Sequence, residues 1–258
     1  MISIIIPVYN QHDMTSDCIN TIRELTYDQD YELVIIDNGS DPPFVPPFTG
    51  FNETILIRNE ENKGFPVAVN QGIKKARGDV IILLNNDVVV TPGWSEKLIA
   101  WLDEYAIVGP LTNYCAGMQS ITAPFYDDQD GLNSAAHEIS TEHNGHSFEV
   151  NFIIGFCMVF KKSVFDEIGI FDESLWPCSG EEIDFCLRAV KAGNKIGVAC
   201  DVYLHHYGSQ TFQDMQKSGE VDYMKIVNRN DKHLAKKWGE DFWQRQEVLL
   251  EKNRAVHP

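Results

Sequence analysis

The feature that most restricts how this chain can fold is a set of short apolar runs that do not alternate with polar residues and that each end in a polar cluster. Ser3-Ile4-Ile5-Ile6 leads into Pro7-Val8-Tyr9-Asn10, and Leu33-Val34-Ile35-Ile36 leads into Asp37-Asn38-Gly39-Ser40-Asp41-Pro42-Pro43. Val80-Ile81-Ile82-Leu83-Leu84 leads into Asn85-Asn86-Asp87. A strand with one wet face alternates; a run that does not is covered on both faces, as parallel strands are. Helical patterns separate the runs. Residues His12 to Leu25 carry Met14, Cys18, Ile22 and Leu25 at spacings of three and four. Phe65 to Ala76 reads as a second helix, which Arg77-Gly78 is expected to close. Thr54 to Ile57 is a further strand, and Pro7 is expected to end the first. Strands alternating with helices predict an α/β fold with a mostly parallel central sheet flanked by helices. Ligands of such sheets bind beyond the carboxyl ends of the strands. Tyr9-Asn10, Asp37-Asn38 and Asn85-Asn86-Asp87 are therefore expected to converge on one edge.

The second half is less regular. Gly93 to Tyr105 is helical in pattern, with Trp94, Leu98 and Leu102 on one face. Pro110 to Ser147 is polar and weakly patterned and reads as a long loop. Then come a strand over Phe152 to Phe160, a short helix over Ser163 to Ile168, and a helix over Ser179 to Ala192 with Ser179 as N-cap and Gly193 past its end. Lys195 to Leu204 is the last strand, and from about Gly219 two helices follow, broken near Gly239. This organisation predicts one domain over 1–215, with halves 1–110 and 111–215, and a small helical extension over 216–258.

The formal net charge of −17 argues against a nucleic-acid partner, which needs Lys and Arg to displace counterions, and against simple docking on anionic lipid. Lys225, Arg229, Lys232, Lys236 and Lys237 form a local basic stretch that reads as a solvated helix face. The six cysteines include no C-x-x-C pair, which fits a reducing compartment; Cys157 and Cys200, in apolar runs, read as buried thiols. No basic leader precedes the strand at Ile2, and no apolar run approaches ~20 residues, so neither a signal peptide nor a transmembrane segment is expected. A cytoplasmic protein is the expectation.

Three places carry chemistry. Asp87, at a strand end, is placed to hold a divalent cation bridging two phosphates, or simply to make a turn. Glu181, Glu182 and Asp184 lie within one helical turn, and Arg188 follows Asp184 at ion-pair spacing. Such charges complement a helix N-terminus in any protein, or one of them serves as a general base. His205-His206 follows a strand and is either a metal ligand or surface polarity. Trp176, just before the carboxylate helix, offers an aromatic face for a sugar or a loop anchor, whereas Trp238 and Trp243 read as packing residues.

Together these pieces resemble the family 2 glycosyltransferases, which have the GT-A (Rossmann-like) fold. The resemblance rests on Ser3 to Asn10, Val34 to Ser40, Asn62-Lys63-Gly64, Asn70-Gln71-Gly72, Gly78 to Asp87, Gly180 to Arg188 and His206-Tyr207-Gly208-Ser209, in that order. It implies an enzyme that moves a sugar from a nucleoside-diphosphate sugar, with uridine or thymidine as the base, to an acceptor hydroxyl with inversion. Pro7, Tyr9, Asn10, Asp37, Lys63, Gly64, Asn70 and Asn86 would form the nucleotide site. Asp87 and His206 would bind Mn²⁺ or Mg²⁺, and Glu182 would be the base, with Glu181 and Asp184 as alternatives. The acceptor would be a glycan or lipid-linked glycan in surface polysaccharide synthesis, the latter met at the inner face of the membrane. The C-terminal helices could serve an oligomer contact.

The chain departs from the family pattern twice. Asn85 stands where the family has its first motif Asp, which removes a charge from the metal site. Glu182 replaces the usual Asp, moving the carboxylate by about 1 Å, enough to matter in a reacting geometry. Asp184 lies about 200° around an ideal helix from Glu182, so the two cannot face one cleft. These departures keep a non-catalytic nucleotide-sugar-binding module in view. A nucleotidyltransferase fits less well, because the turn after the first strand has no Gly, Lys or Arg to cradle phosphate.

Overall fold

The computed structural model describes residues 1–26, 28–46, 53–208 and 210–241. In chain order the elements are β1 (Ile2–Val8), α1 (His12–Leu25), β2 (Tyr31–Asn38), β3 (Thr54–Asn59), α2 (Phe65–Lys75), β4 (Val80–Leu84) and β5 (Val88–Val89). They continue with α3 (Trp94–Ala100), β6 (Ile107–Thr112), α4 (Gln129–Glu142), β7 (Ser147–Val150), β8 (Cys157–Lys161) and α5 (Lys162–Ile168). Last come α6 (Glu181–Lys191), β9 (Ile196–His206), α7 (Gln210–Lys217) and α8 (Tyr223–Trp238). The sheet runs β3-β2-β1-β4-β8-β6-β9-β5, with β7 also on β9. The first four strands are mutually parallel, and β8 joins antiparallel to both β4 and β6.

The non-alternating runs have the expected cause. Ile4, Ile6, Leu33 and Ile35 enter one core with Cys18, Ile19 and Ile22 of α1, while Ile5, Val34 and Ile36 enter another with Ala68, Val69 and Ile73 of α2. Successive side chains point to opposite faces, so a strand covered on both sides is apolar at every position. Gly72 lets α2 lie close to the sheet: a Cβ there would stand 2.5 Å from a methyl of Ile5.

Several expectations are corrected. Pro7 does not end β1, which runs to Val8. The β1–β4 ladder stops at Ile5↔Leu83, so beyond it β1 is paired on one side only, where proline is tolerated. Gly78 is not a left-handed cap; a Cβ there would collide with Ser3 and Met1. The stretch from Pro110 to Ser147 is not one long loop. It holds the second half of β6 and the 14-residue α4, whose buried stripe is Leu132, Ala135, Ala136 and Ile139. Two alanines made that stripe faint in the sequence. The strand expected from Phe152 begins only at Cys157, although Phe152, Ile153 and Phe156 are buried. Ser179 is not an N-cap: α6 begins at Glu181 behind Gly180, and both Ser179 and Gly180 have left-handed φ angles of 84° and 95°. Cys200 is half-buried, unlike Cys157.

The C-terminal region contributes α7, which starts before the expected Gly219, and α8, which Gly239 terminates. The second expected helix, Trp243 and Ser209 lie outside the described residues. The basic stretch on α8 is not wholly solvated. Arg229 donates to the Trp176 carbonyl, and Lys237 pairs with Asp184 at 2.7 Å. Asn230 donates to the carbonyls of Leu175, Cys178 and Ser179, and Leu234 is fully buried. These contacts pin α8 against the start of α6. No helix among the described residues is long and apolar enough to cross a membrane.

Candidate active site

One cleft of about 450 Å³ lies beyond the strand ends. Parallel strands bring Asn38 of β2, Val8 of β1 with Tyr9 just after it, and Asn85, Asn86 and Asp87 after β4 to the same edge. Antiparallel β8 meets the cleft with its amino end, at Gly155 and Phe156. Tyr114 follows β6, His206 closes β9, and α6 presents Gly180, Glu181 and Glu182 from its N-terminus. The far wall is Thr211 and Met215 of α7 with Tyr223, Val227 and Asp231 of α8.

Asp87 and His206 are brought together by the pairing of Val88 with His206, leaving a carboxylate oxygen 3.2 Å from Nε2. The imidazole is fixed by stacking on Phe156, at a ring separation of 5.2 Å, and by Nδ1 lying 2.8 Å from the Tyr114 carbonyl oxygen. A carbonyl only accepts, so Nδ1 donates, and in the neutral ring Nε2 keeps its lone pair. Nε2 is buried with no hydrogen-bond partner. Two acceptors therefore face each other, an arrangement that a cation satisfies. Among the described residues no third His, Cys, Asp or Glu joins them. Among the described residues no Lys or Arg lines the cleft either, whereas Asp87, Glu181, Glu182 and Asp231 do. A diphosphate entering this site needs a positive charge that the lining does not supply. The residues present thus fit a divalent ion held by Asp87 and His206.

The profile of Glycosyl transferase family 2 matches residues 3–169. The chain belongs to this family. Among the relatives of this family 2 chain, glycosyltransferase AglE of Haloferax volcanii is 25% identical over 210 residues, covering 78% of this chain and 65% of AglE. The chain spans 27% to 65% of the length of the first two curated relatives it matches. Of solved structures, GalNAc-T7 with UDP, GalNAc and Mn²⁺ superposes with a TM-score of 0.62 at 18% identity, covering 80% of this chain and 43% of that one. The mannosyltransferase PcManGT of Pyrobaculum calidifontis, with GDP-Man and Mn²⁺, gives 0.58 at 14% identity, covering all of this chain and 76% of its own. These likenesses show the GT-A fold, a mixed α/β layer structure with a central, mostly parallel sheet.

The remaining candidate residues of this family 2 chain divide sharply. Pro7, Tyr9, Asn86, Glu181 and Glu182 line the cleft with Asp87 and His206. Asp37 does not: its carboxylate accepts from the backbone N–H groups of Ser40 and Phe44 and pairs with Arg58. Burial pushes its pKa up, but these donors outweigh burial and hold the carboxyl below the usual range. Its neighbour Asn38 is the residue that faces the cleft, as strand alternation requires. Asn10 accepts from the Asp41 N–H and receives no place in the lining. Lys63 and Gly64 shape the turn, with the Lys63 N–H on Asn38, while Asn62 lines the cleft beside them. Asn70 ties α2 to the later chain by bonding Phe171 on both sides of its amide. Asp184 is fully buried against Arg188, Lys237 and Trp238, turned away from the cleft. Trp176 lies over Gly64 and outside the lining, which takes up the chain at Pro177 just after it. The tyrosines in the lining are Tyr9, Tyr114 and Tyr223, and the sequence reading singled out only the first.

Glu181 and Glu182 both have raised pKa values. Burial is the main cause for each; for Glu181 the charge of Glu182 adds to it and pushes its pKa well up. Backbone N–H groups of Gly180, Ile183 and Gly155 counter the rise at Glu182. Glu181, pushed further up, is the harder of the two to ionise. A base with a raised pKa is protonated, and idle, up to a higher pH than an ordinary Glu near ~4.3. Activity is expected to rise with pH through an acid limb above that value, measured as kcat against pH. Replacing Glu181 with Gln is expected to leave the limb in place.

Proposed function

We propose that the chain transfers one sugar from a nucleoside-diphosphate sugar, with UDP or dTDP as the carrier, to an acceptor hydroxyl with inversion. The observation that carries this is a single cleft with the Asp87–His206 acceptor pair on the sheet side and Glu182 on the helix side. Pro7, Tyr9, Asn38 and Asn62 line the nucleoside end. Asp87 and His206 hold Mn²⁺ or Mg²⁺, which when bound neutralises charge on the diphosphate. Glu182 takes the proton of the acceptor hydroxyl. The acceptor oxygen bonds to the anomeric carbon, and the bond from that carbon to the diphosphate oxygen breaks with its electron pair leaving on the diphosphate. Positioning and charge stabilisation supply the rest of the catalysis. The acceptor is a glycan or lipid-linked glycan, and the reaction belongs to the cytoplasmic side of surface polysaccharide assembly.

The test is thermal stability against UDP-, dTDP- and GDP-sugars, each with Mn²⁺ and again with chelator. Ligand at ~100 times its Kd adds about 2.7 kcal/mol and raises the melting temperature. A shift with one nucleotide class that disappears with chelator is expected. No shift with any of them sinks the donor site.

A further inference from the structure

The helix that closes the cleft turns a different face outward. Five of the chain's 21 lysines and arginines lie on the 16-residue α8: Lys225, Arg229, Lys232, Lys236 and Lys237. Positions 225, 229, 232 and 236 follow one another at steps of four, three and four, so an ideal helix gathers them within about 60° of its circumference. All four are exposed. Ile226, Asn230 and Leu234 are buried on the far side, and Asn230 fixes the helix there by donating to three carbonyls. Lys237 is taken up by Asp172 and Asp184, and His233 by Asp172. Among the described residues no carboxylate pairs with Lys225, Lys232 or Lys236. Arg229 donates to uncharged acceptors, the Trp176 carbonyl and the Asn230 amide oxygen. The one carboxylate on α8, Asp231, lines the cleft on the other side. The outer face of α8 is thus a straight row of four uncompensated positive charges, about 16 Å long, on a chain of net charge −17.

We propose that this face docks the protein on a bilayer carrying anionic headgroups, with Lys225, Arg229, Lys232 and Lys236 against the lipid phosphates. A site for one phosphate gathers its donors in a concavity; these four are strung along the convex side of a helix, which suits a plane of many charges. Clusters of four or more Lys and Arg on one helix face bind anionic lipid, and each strengthens binding by roughly fivefold. The net charge that argues against docking belongs to the whole surface. At physiological ionic strength charges more than ~8 Å apart are largely screened, so a touching bilayer meets the row rather than the total. Val227 and Asp231, on the opposite side of α8, line the cleft, so docking holds the cleft about one helix diameter, ~10–12 Å, from the lipid surface. The docking does not depend on which sugar the cleft transfers.

The experiment is co-sedimentation of the full chain with vesicles of phosphatidylcholine alone and of equal parts phosphatidylcholine and phosphatidylglycerol, at low and high salt. Binding is expected to the mixed vesicles only, and to weaken as salt rises. Lys232→Glu/Lys236→Glu is expected to lose affinity by about tenfold or more. The control is Lys74→Glu/Lys75→Glu on α2, an exposed pair away from the row, which changes the net charge by the same amount. It is expected to bind within about twofold of the parent, because charges beyond a Debye length are screened. Melting temperatures check that both variants fold, and Lys232→Gln/Lys236→Gln, which removes the charges without reversing them, gives the same ranking if the reversal disturbs α8. Glycerol 3-phosphate at the same phosphate concentration is expected not to compete. No binding to the mixed vesicles at low salt, or equal binding to phosphatidylcholine, overturns the proposal. So does an equal loss in the α2 control, which would make the effect one of net charge. Competition by glycerol 3-phosphate would make the row a site for a single phosphate, and equal capture by an RNA duplex of the same phosphate concentration would make it a general polyanion contact; either result overturns the assignment to lipid.

Discussion

Turnover of the Glu182→Gln variant is expected to fall by about 10²- to 10⁴-fold, the range for removing a general base. Gln keeps the length of Glu, and its carbonyl oxygen can still accept from the Gly180 N–H that Glu182 meets at 3.1 Å. The N-terminus of α6 therefore keeps its shape, and the nucleotide-dependent melting shift stays as in the parent. The comparison that gives the result its meaning is Glu181→Gln. Glu181 is the member of the pair whose pKa burial and its neighbour's charge push the higher. A neutral amide there resembles the protonated form that this shift favours, so its cost is expected to be less than about tenfold, well below the general-base range. The reverse ranking would move the base to Glu181. Full activity in both variants would leave the cleft as a binding site. Single-turnover rates with saturating donor measure the difference without interference from product release.

Asp184→Ala is expected to cost on the order of 3 kcal/mol of stability, the lower end for breaking a buried charge pair. Asp184 is fully buried and bonded to Arg188 at 2.9 Å, Lys237 at 2.7 Å and the Trp238 indole at 2.9 Å. Truncation strands these donors, but the Arg188 and Lys237 side chains retain 18% and 36% exposure and reach water, which holds the loss down. For a chain of this size that is a melting-temperature drop of roughly 6–12 °C. Asp184→Asn, which keeps an acceptor for Trp238, should lose less. Turnover measured well below the melting point should fall far less than in Glu182→Gln. A loss as large as that of Glu182→Gln, in protein still folded, would return Asp184 to the list of candidate bases.

How much of this was legible in the sequence depends on how each residue declares itself. The first half was nearly all readable, because Ile4-Ile5-Ile6 and Val34-Ile35-Ile36 are apolar at every position and only a doubly covered strand asks for that. The convergence of Tyr9, Asn86 and Asp87 followed from the parallel order of those strands. Helix α4 escaped because Ala135 and Ala136 make half its buried stripe. At the site, Asp37 looked like the ligand-facing residue because a carboxylate is the more conspicuous group, but Arg58 is 21 residues away and nothing local announces the pair. The period of two would have said that only one of Asp37 and Asn38 faces the cleft, not which. Asp184 was separable from Glu182 by helix geometry alone. Tyr114 and Tyr223 sit in stretches with no strong pattern, and only the folded chain brings them to one cleft.

The cleft is walled by residues from Pro7 near the start of the chain to Asp231 on α8, and side chains cross between these regions: the Tyr9 hydroxyl donates to Glu220 at 2.8 Å and Gln11 donates to Asp214. During synthesis the first four parallel strands can pair as they emerge, since their partners are near in sequence. The substrate cleft cannot. Until α8 has left the ribosome, the cleft lacks one wall, so it takes its full shape only after Asp231 has emerged.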